Sequence, residues 1–354
     1  MAERRGGGAK QAGEGRSSPT IYNVASRAGV STATVSRALN GTAKIAPATR
    51  QAIDEAVREL GYRPNGLARS LRTKSTQTIA LLLPDITNPF FPRLVRGVQV
   101  AARRRGYLML LASAEGDAAG EQDYLELFRA NAVDGALLVG VSIPSEQITR
   151  VVAEGFPIVS LDRDIDCPDV PLVQVDNREG ARTAVEHLLQ LGHRRIAHIG
   201  GPHGLNISRE RLAGYREALT SARIAVDPAL IVEGDYEETG GAAAAARLLD
   251  SGVHFTAVFA ANDLTAIGAM DALHERGLQV PDDVSVVGFD DLRLAAYVSP
   301  GLTTVHQPAA EIGERAAGIL IDIIRGRRRA GRVGHVVLPP HLVERASTAP
   351  PRRS

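Results

Sequence analysis

The sequence predicts an all-α helix-turn-helix headpiece with a hinge helix, followed by a doubly wound α/β domain of two subdomains. Three observations carry this. Residues 20–40 hold two short amphipathic stretches around Gly29, and RPNGLARSLRT at 63–73 reads as a separate short helix. From residue 76 onward, short apolar runs alternate with amphipathic stretches, as in βαβ layering over a parallel sheet.

The first helix is expected from Tyr22 to Ala28, with the turn at Gly29-Val30 and Ser31 placed to cap a second helix from Thr32 to Leu39. Val24, Ala25, Ala28, Val30, Val35, Ala38 and Leu39 are small or apolar at spacings that let these helices cross closely. Thr32, Ala33, Thr34, Ser36 and Arg37 are left facing outward, which makes the second helix the expected reader of a major groove. A third helix, Pro47 to Leu60, carries Ile53, Val57 and Leu60 on one face and stops at Gly61. After Pro64, Asn65 is placed to cap a helix from Gly66 to Arg72 that is too short to be stable alone in water. Leu67 and Leu71 share one side of it. Two such helices paired at a dimer axis would push a leucine into the minor groove, whereas a linker helix with two packed leucines is the plainer reading.

Charge is divided unevenly. Residues 1–75 hold 13 Lys and Arg against 5 Asp and Glu, net +8, and the remainder holds 28 against 35, net −7. The basic end suits a polyanion, although a solvated basic face on an unrelated three-helix fold explains the charge alone equally well. The chain is 354 residues long with 44% apolar content, and its one cysteine, Cys167, excludes a disulfide framework within the chain. Residues 1–19 contain no apolar stretch and no run approaches a membrane span, so a cytoplasmic protein with a disordered basic arm is expected.

TIALLLP, YLMLLAS, GALLVG and PIVSLD read as strands, with helices near Phe91 to Arg105, Glu121 to Ala130 and Ser145 to Glu154. A second series follows: VPLVQVD, RRIAHIG, ALIVEG, TAVFAA and VSVVGFD, with helices near Arg178 to Leu191, Arg209 to Ala222, Gly240 to Asp250 and Asp263 to Glu275. TTVHQ, a helix from Pro308 to Arg325 and a strand near Val336 to Leu338 read as crossings between the two halves, which leave a cleft and a hinge. Polar residues gather at the strand ends, where ligands bind in open α/β sheets: Asp85, Asn88 with Phe90 and Phe91, Asp162-Arg163, Arg209, Asn262-Asp263, Asp290-Asp291 and Gln307. Carboxylates, amides and guanidinium groups satisfy vicinal hydroxyls, and aromatic faces cover the C–H face of a sugar ring. Singly, each has a plainer reading as a cap, a core residue or a turn.

Enzymatic readings find little support. No GxGxxG follows the first strand, there is no P-loop, and the histidines show no metal-ligand spacing, so neither a cofactor nor a metal is expected. Asp290 and Asp291 are adjacent at a strand end and point apart, unlike the opposed acids of a glycosidase. The loop Gly200 to Gly204 presents backbone amides suited to an anion, which keeps a sugar phosphate or a nucleobase acting as corepressor open as an alternative ligand.

The stretch TIYNVASRAGVSTATVSRALNG, together with RPNGLARSLRT, resembles the headpiece and hinge of the LacI/GalR family of bacterial transcription regulators, and the similarity runs from about Thr20 to Pro350. The resemblance implies base reading by Thr32 and Ala33, an arginine contact from Arg37, phosphate and anchoring contacts from Thr20, Tyr22, Ser31, Ser36, Asn40 and Thr49, and a minor-groove wedge at Leu71. It also implies a type I periplasmic-binding-protein-like effector domain, whose ribose-binding members place contacts at Asn88, Phe90, Phe91, Asp162, Arg163, Arg209, Asn262, Asp290 and Gln307. The boundaries read on this basis are an arm (1–19), a headpiece (20–64), a hinge helix and linker (65–75), an effector domain (76–346) and a flexible tail (347–354). Within the effector domain, the N-subdomain takes about 76–175 and 305–326 and the C-subdomain about 176–304 and 327–346. The implied partners are double-stranded operator DNA, a small saccharide such as ribose and a second copy of the chain, since one headpiece reads too few base pairs to select a site. Asn23 stands where the family usually has an acid, and Ala46 where it has a Ser cap; losing that cap costs the third helix about 0.5 to 2 kcal/mol.

Overall fold

The computed structural model describes residues 19–40, 43–62, 75–114, 117–332 and 334–352. The expected hinge helix, with Leu67 and Leu71, and the N-terminal arm lie outside the described residues. The chain divides into two compact units, Met1–Thr76 and Gln77–Ser354.

The first unit is three helices: α1 (Ile21–Arg27), α2 (Thr32–Asn40) and α3 (Pro47–Leu60). Val24, Val35, Ala38, Ile53 and Ala56 are at most 2% exposed and form its core. Caps explain where the helices begin. Asn23 Oδ1 accepts from Thr20 N at 2.9 Å and from Thr20 Oγ1 at 2.7 Å, so the amide oxygen fills the acceptor role of the family's acid. Ser31 Oγ accepts from Thr34 N at 3.2 Å, as its position at the N-cap requires. Ala46 supplies no side-chain cap; Pro47 begins α3 and Gly61, at φ 62°, closes it in the left-handed region that glycine tolerates.

In the second unit the elements follow in chain order. The first half holds β1 (Thr78–Leu83), α4 (Phe91–Arg104), β2 (Leu108–Ser113), α5 (Ala118–Leu127), β3 (Ala136–Val139), α6 (Ser145–Ala153), β4 (Ile158–Leu161) and β5 (Leu172–Val175). Then come α7 (Asn177–Gln190), β6 (Ile196–Gly200), α8 (Asn206–Ser221), β7 (Ile231–Glu233), α9 (Glu238–Asp250), β8 (Ala257–Ala260), α10 (Asp263–Glu275) and β9 (Ser285–Val287). The last stretch holds β10 (Thr304–His306), α11 (Ala309–Ile324), β11 (His335–Leu338) and β12 (His341–Val343). Two parallel sheets result, ordered β11-β5-β4-β3-β1-β2 and β7-β6-β8-β9, and β10 pairs antiparallel with β12. The expected doubly wound α/β architecture is therefore present. Strands buried on both faces, such as β1 and β3, read as unbroken apolar runs for that reason.

Three placements differ from the sequence reading. VPLVQVD is counted with the second series of strands, although the boundary at 175 leaves it in the N-subdomain, and β5 pairs with β4 and β11 in the first sheet. The expected C-subdomain takes in residues 327–346, yet β11 completes the first sheet and only the segment from His341 returns across the hinge. A short apolar strand carries no mark of which sheet edge it will cover. The tail is also tied down: Ser347 is fully buried, its Oγ donates to Val286 O at 2.6 Å and accepts from Thr303 N at 2.8 Å, and Val286 N donates to Ser347 O at 2.8 Å. Residues 347–349 satisfy backbone groups at the β9 edge, which would otherwise cost free energy when buried.

Helices α9 and α10 pack with backbones in direct contact. Gly241 lies against Thr265 and Gly268 against Glu238, so a Cβ at either glycine would overlap the facing carbonyl oxygen. This close crossing brings the N-terminal ends of both helices to one wall of the cleft. Among the described residues no helix is long and apolar enough to cross a membrane.

Candidate functional site

In the first unit, α2 buries Val35 and Ala38 and turns its other face outward. Ala33 and Arg37 are exposed there, with Thr32 and Ser36 half-buried beside them. Arg37 is loosely anchored, its Nε 3.3 Å from Ala33 O, so the guanidinium remains available to a base edge. Tyr22 on α1 is 73% exposed, which leaves its ring face and hydroxyl open to a partner. Thr20 and Ser31 are exposed helix caps, Thr49 is half-buried in the first turn of α3, and Asn40 is the last residue of α2. Leu71 lies outside the described residues.

In the second unit the strand ends converge on Arg211 of α8, which is only 3% exposed. Its Nε donates to Asn177 Oδ1 at 2.9 Å, Nη1 donates to Ala261 O, and the guanidinium lies 3.8 Å from the centre of the Phe289 ring. Nη2 is 3.8 Å from Asp290 Oδ1, and that oxygen accepts from Gln307 Nε2 at 2.6 Å. Asp162 shares this field, and its Oδ1 is shut off from solvent with no hydrogen-bond partner. Burial pushes both carboxyls up to about 6 against the opposing pull of Arg211, and the charge of Asp162 adds to the rise at Asp290. Both acids also hold left-handed backbone, φ 59° at Asp162 and 112° at Asp290, a strain that a surrounding fold retains at working sites.

The loop bearing Phe289 and Asp290 is clamped from below. Asp263 N donates to Phe289 O at 2.8 Å, while its carboxylate accepts from Leu292 N at 2.7 Å and Thr304 Oγ1 at 2.5 Å. Asp291 turns away from the cleft to His306 Nδ1 at 2.9 Å and Arg345 Nη2 at 2.6 Å, so the two adjacent acids do point apart. At the mouth, Phe90 and Phe91 meet edge to face with centroids 5.4 Å apart, and Asn88 Oδ1 accepts from Phe90 N at 3.0 Å. Asn88 also hydrogen-bonds Glu237 of the opposite half, whose carboxyl is raised by burial and by neighbouring acids that include Asp85.

Asp162 and Asp290 thus gather at Arg211 with Gln307 on Asp290, and Asn88 joins Phe90 to Glu237, whereas the other three expected contacts are engaged as follows. Arg209 is exposed and binds its own helix start, at Gly204 O (3.3 Å) and Asn206 Oδ1 (3.4 Å). It stands two residues, and so about 200°, from Arg211 on the helix. Arg163 Nη1 donates to Val141 O and to Ile143 O, the latter at 2.7 Å, which holds the loop after β3 that the buried Glu121 also binds through Ser142 N. Asn262 caps α10 through Thr265 N at 2.9 Å and donates to Tyr236 O at 2.8 Å, so it fixes the wall rather than presenting free groups. The sequence reading passes over Arg211, Phe289 and Tyr236. A signal exists for Arg211: Ser208, Arg211, Tyr215 and Ala218 recur at the spacing of a buried helix face, while Arg209, Arg216 and Thr220 form the exposed stripe.

Comparison with known proteins agrees with both halves of this geometry. Residues 20–65 match the family described as bacterial regulatory proteins, lacI family, and residues 185–348 match the periplasmic binding protein-like domain. The transcriptional regulator CelR of Thermobifida fusca is 39% identical over 342 residues, covering 94% of this chain and 99% of its own. A solved CelR–cellobiose complex aligns at TM-score 0.72 with 37% identity, over 93% of this chain and 99% of that one. The Lac repressor dimer bound to operator and the anti-inducer ONPF aligns at TM-score 0.85 with 30% identity, over 94% of this chain and all of that one. A regulator from Enterococcus faecium with bound ribose aligns at TM-score 0.70 with 32% identity, over 77% of this chain and 99% of that one. With relatives matched along nearly their whole length, headpiece and cleft alike, the chain belongs to the LacI family of bacterial regulatory proteins, which regulate transcription through DNA and are not enzymes.

Proposed function

We propose that this regulator represses carbohydrate uptake or catabolism genes as a homodimer on a pseudopalindromic operator, and that a small saccharide such as ribose releases it. The observation that carries the reading is the buried Asp162 Oδ1 without a partner, in the field of Arg211 and of Asp290, which Gln307 holds. An unsatisfied buried acceptor costs about 1 to 3 kcal/mol, which a ligand O–H donor relieves. Vicinal hydroxyls both donate to such carboxylates and accept from the guanidinium, and the ring faces suit a sugar's C–H surface. The Enterococcus faecium relative with bound ribose supports a pentose; the CelR–cellobiose complex supports a larger sugar.

Release follows from linkage. Ligand drawn between the two halves changes their setting about the β10–β12 crossing and the Arg93 Nη1 to Asp291 O bond of 2.9 Å. An effector that lowers DNA affinity binds the DNA-free form more tightly by the same factor. Thermal unfolding against pentoses, hexoses, sugar phosphates and purines tests the effector: ribose at 100 times its dissociation constant is expected to add about 2.7 kcal/mol of stability. A response confined to phosphates or purines would remove the free sugar from the mechanism.

Two further results are expected. With both acids raised to about 6, they are charged above that pH and lose acceptor capacity below it. Saccharide affinity is then full above pH 6 and falls by about tenfold per required carboxylate for each pH unit below it. Calorimetric titration from pH 8 to 5 checks this, and a flat profile contradicts it. Replacing Arg37 by Ala is expected to weaken operator binding by about 1 to 3 kcal/mol and relax its sequence preference, as read by fluorescence anisotropy, with ligand stabilisation unchanged.

A further inference from the structure

We propose that the arginine-rich end of the first half of the second unit is a DNA contact in its own right, gripping backbone phosphates that flank the site read by the headpiece. Residues 103–105 and 325–332 contain eight arginines and no acid. The structure joins the two segments into one surface. Arg105 Nη1 donates to Gly318 O at 3.0 Å and to Asp322 Oδ1 at 2.7 Å, Arg325 Nη2 donates to Arg105 O at 2.5 Å, and Arg328 Nε is 3.8 Å from Asp322 Oδ2. Helices α4 and α11 therefore end side by side, with Arg103, Arg104, Arg325, Arg327, Arg328 and Arg329 exposed.

The plain account of such residues is that cations near a helix C-terminus offset its dipole, an effect confined to the last turn. It covers the arginines at 103–105 and Arg325. It does not cover those at 327–329, which lie beyond the end of α11 at Ile324. Internal pairing does not absorb them either: Asp322 is shared by Arg105 and Arg328, Glu314 takes Arg104 at 3.7 Å, and among the described residues no acid lies within 4.0 Å of Arg103, Arg327 or Arg329. The patch also runs against its surroundings. Of the 28 Lys and Arg beyond residue 75, eight lie in these two segments, and the other 20 are spread among 35 Asp and Glu. A strongly basic island on an acidic unit has a polyanion as its electrostatic complement.

Its position selects DNA among polyanions. Leu108, three residues after Arg105, donates its N–H to Gln77 O at 2.8 Å, and Gln77 is the first residue of this unit. Arg325 lies 5.3 Å over the Tyr107 ring at the same end. The patch thus lies beside the first residue of this unit, to which the chain runs from the DNA-binding headpiece. From Tyr62 to Gln77 the chain spans at most about 50 Å. With the headpiece on a duplex, flanking phosphates are presented to the patch at an effective concentration on the order of millimolar.

The test uses the full chain and its R327Q/R328Q/R329Q variant, with anisotropy titrations over a salt series on random-sequence duplexes of about two and about four helical turns. On the long duplex, the variant is expected to lower the slope of log affinity against log salt by about 2 to 3 per bound chain, at about 0.9 for each phosphate no longer neutralised. On the short duplex the two proteins should differ little. A length-dependent loss is not what a merely structural role would produce, and unchanged thermal unfolding shows that the variant is folded. Should the triple variant unfold, R103Q is read instead, with an expected slope change of about 0.9 on the long duplex only. Equal slopes and affinities for the folded variant and the parent on the long duplex overturn the proposal, leaving an acidic protein surface or solvent as the patch's partner. The inference depends on DNA binding by the family, and not on which effector fills the cleft.

Discussion

Replacing Arg211 by Met is expected to leave the chain on DNA and deaf to its effector. Among the described residues the guanidinium is the one cation acting on both Asp162 and Asp290, and it also stacks on Phe289 and binds Asn177 and Ala261. Met keeps the aliphatic stem and deletes the fork. The ligand loses charge-assisted hydrogen bonds worth about 1.5 to 3 kcal/mol each, a fall of at least tenfold in affinity. Stability falls as well, since removing one member of a buried charge cluster costs about 3 to 5 kcal/mol, but carboxyls already raised to about 6 protonate and moderate that loss. Arg211→Lys retains the charge without the planar fork and should rescue only part of the binding. Arg209→Met, on the exposed stripe of the same helix, is the matched control and should bind normally. Calorimetric titration of all three, with DNA affinity measured alongside, decides the matter. Loss of binding in Arg209→Met with retention in Arg211→Met would show that the effector sits outside the cleft.

Gly268→Val is expected to be the most damaging single change to the cleft wall. A Cβ there overlaps Glu238 O, and backbone cannot turn aside as a side-chain tip does. Helices α9 and α10 would have to move apart, against the matching contact at Gly241. Their N-terminal ends hold Glu237, which faces Asn88, and Asn262, which fixes Tyr236. Overpacking of this kind costs about 3 kcal/mol or more, which for a unit of this size lowers Tm by roughly 6 to 12 °C. Ligand affinity should fall with it, because the wall shifts. The headpiece, a separate compact unit, should keep its DNA affinity. Scanning calorimetry of Gly268→Ala and Gly268→Val gives the gradation, and a Val variant within about 1 kcal/mol of the parent would mean that the two helices separate easily.

Much of the architecture was legible because its determinants are local. Ser31 caps α2 and Gly61 ends α3 through bonds that reach only a few residues. The apolar runs of β1 and β3 announced strands covered on both faces. The cleft was legible in part. Asp162, Asp290 and Gln307 stand at strand ends, and any open parallel sheet carries its ligand groups there. Asn262 was legible only as a residue type, since whether an amide caps a helix or meets a ligand depends on what lies beside it.

The sequence by itself determined the helix-turn-helix, the α/β layering, the charge division between the units and the strand ends on which a site is built. Only the tertiary structure decided that Arg211 and not Arg209 is buried beside Asp162 and Asp290, that β11 joins the first sheet, and that residues 347–349 pin the β9 edge. It also decided that two arginine runs more than 200 residues apart form one surface. The reason is common to all four. Caps, turns and apolar periods act over one or two turns of chain, whereas a choice between two faces of a helix, two sheet edges or two distant segments is made by the partner that packs there.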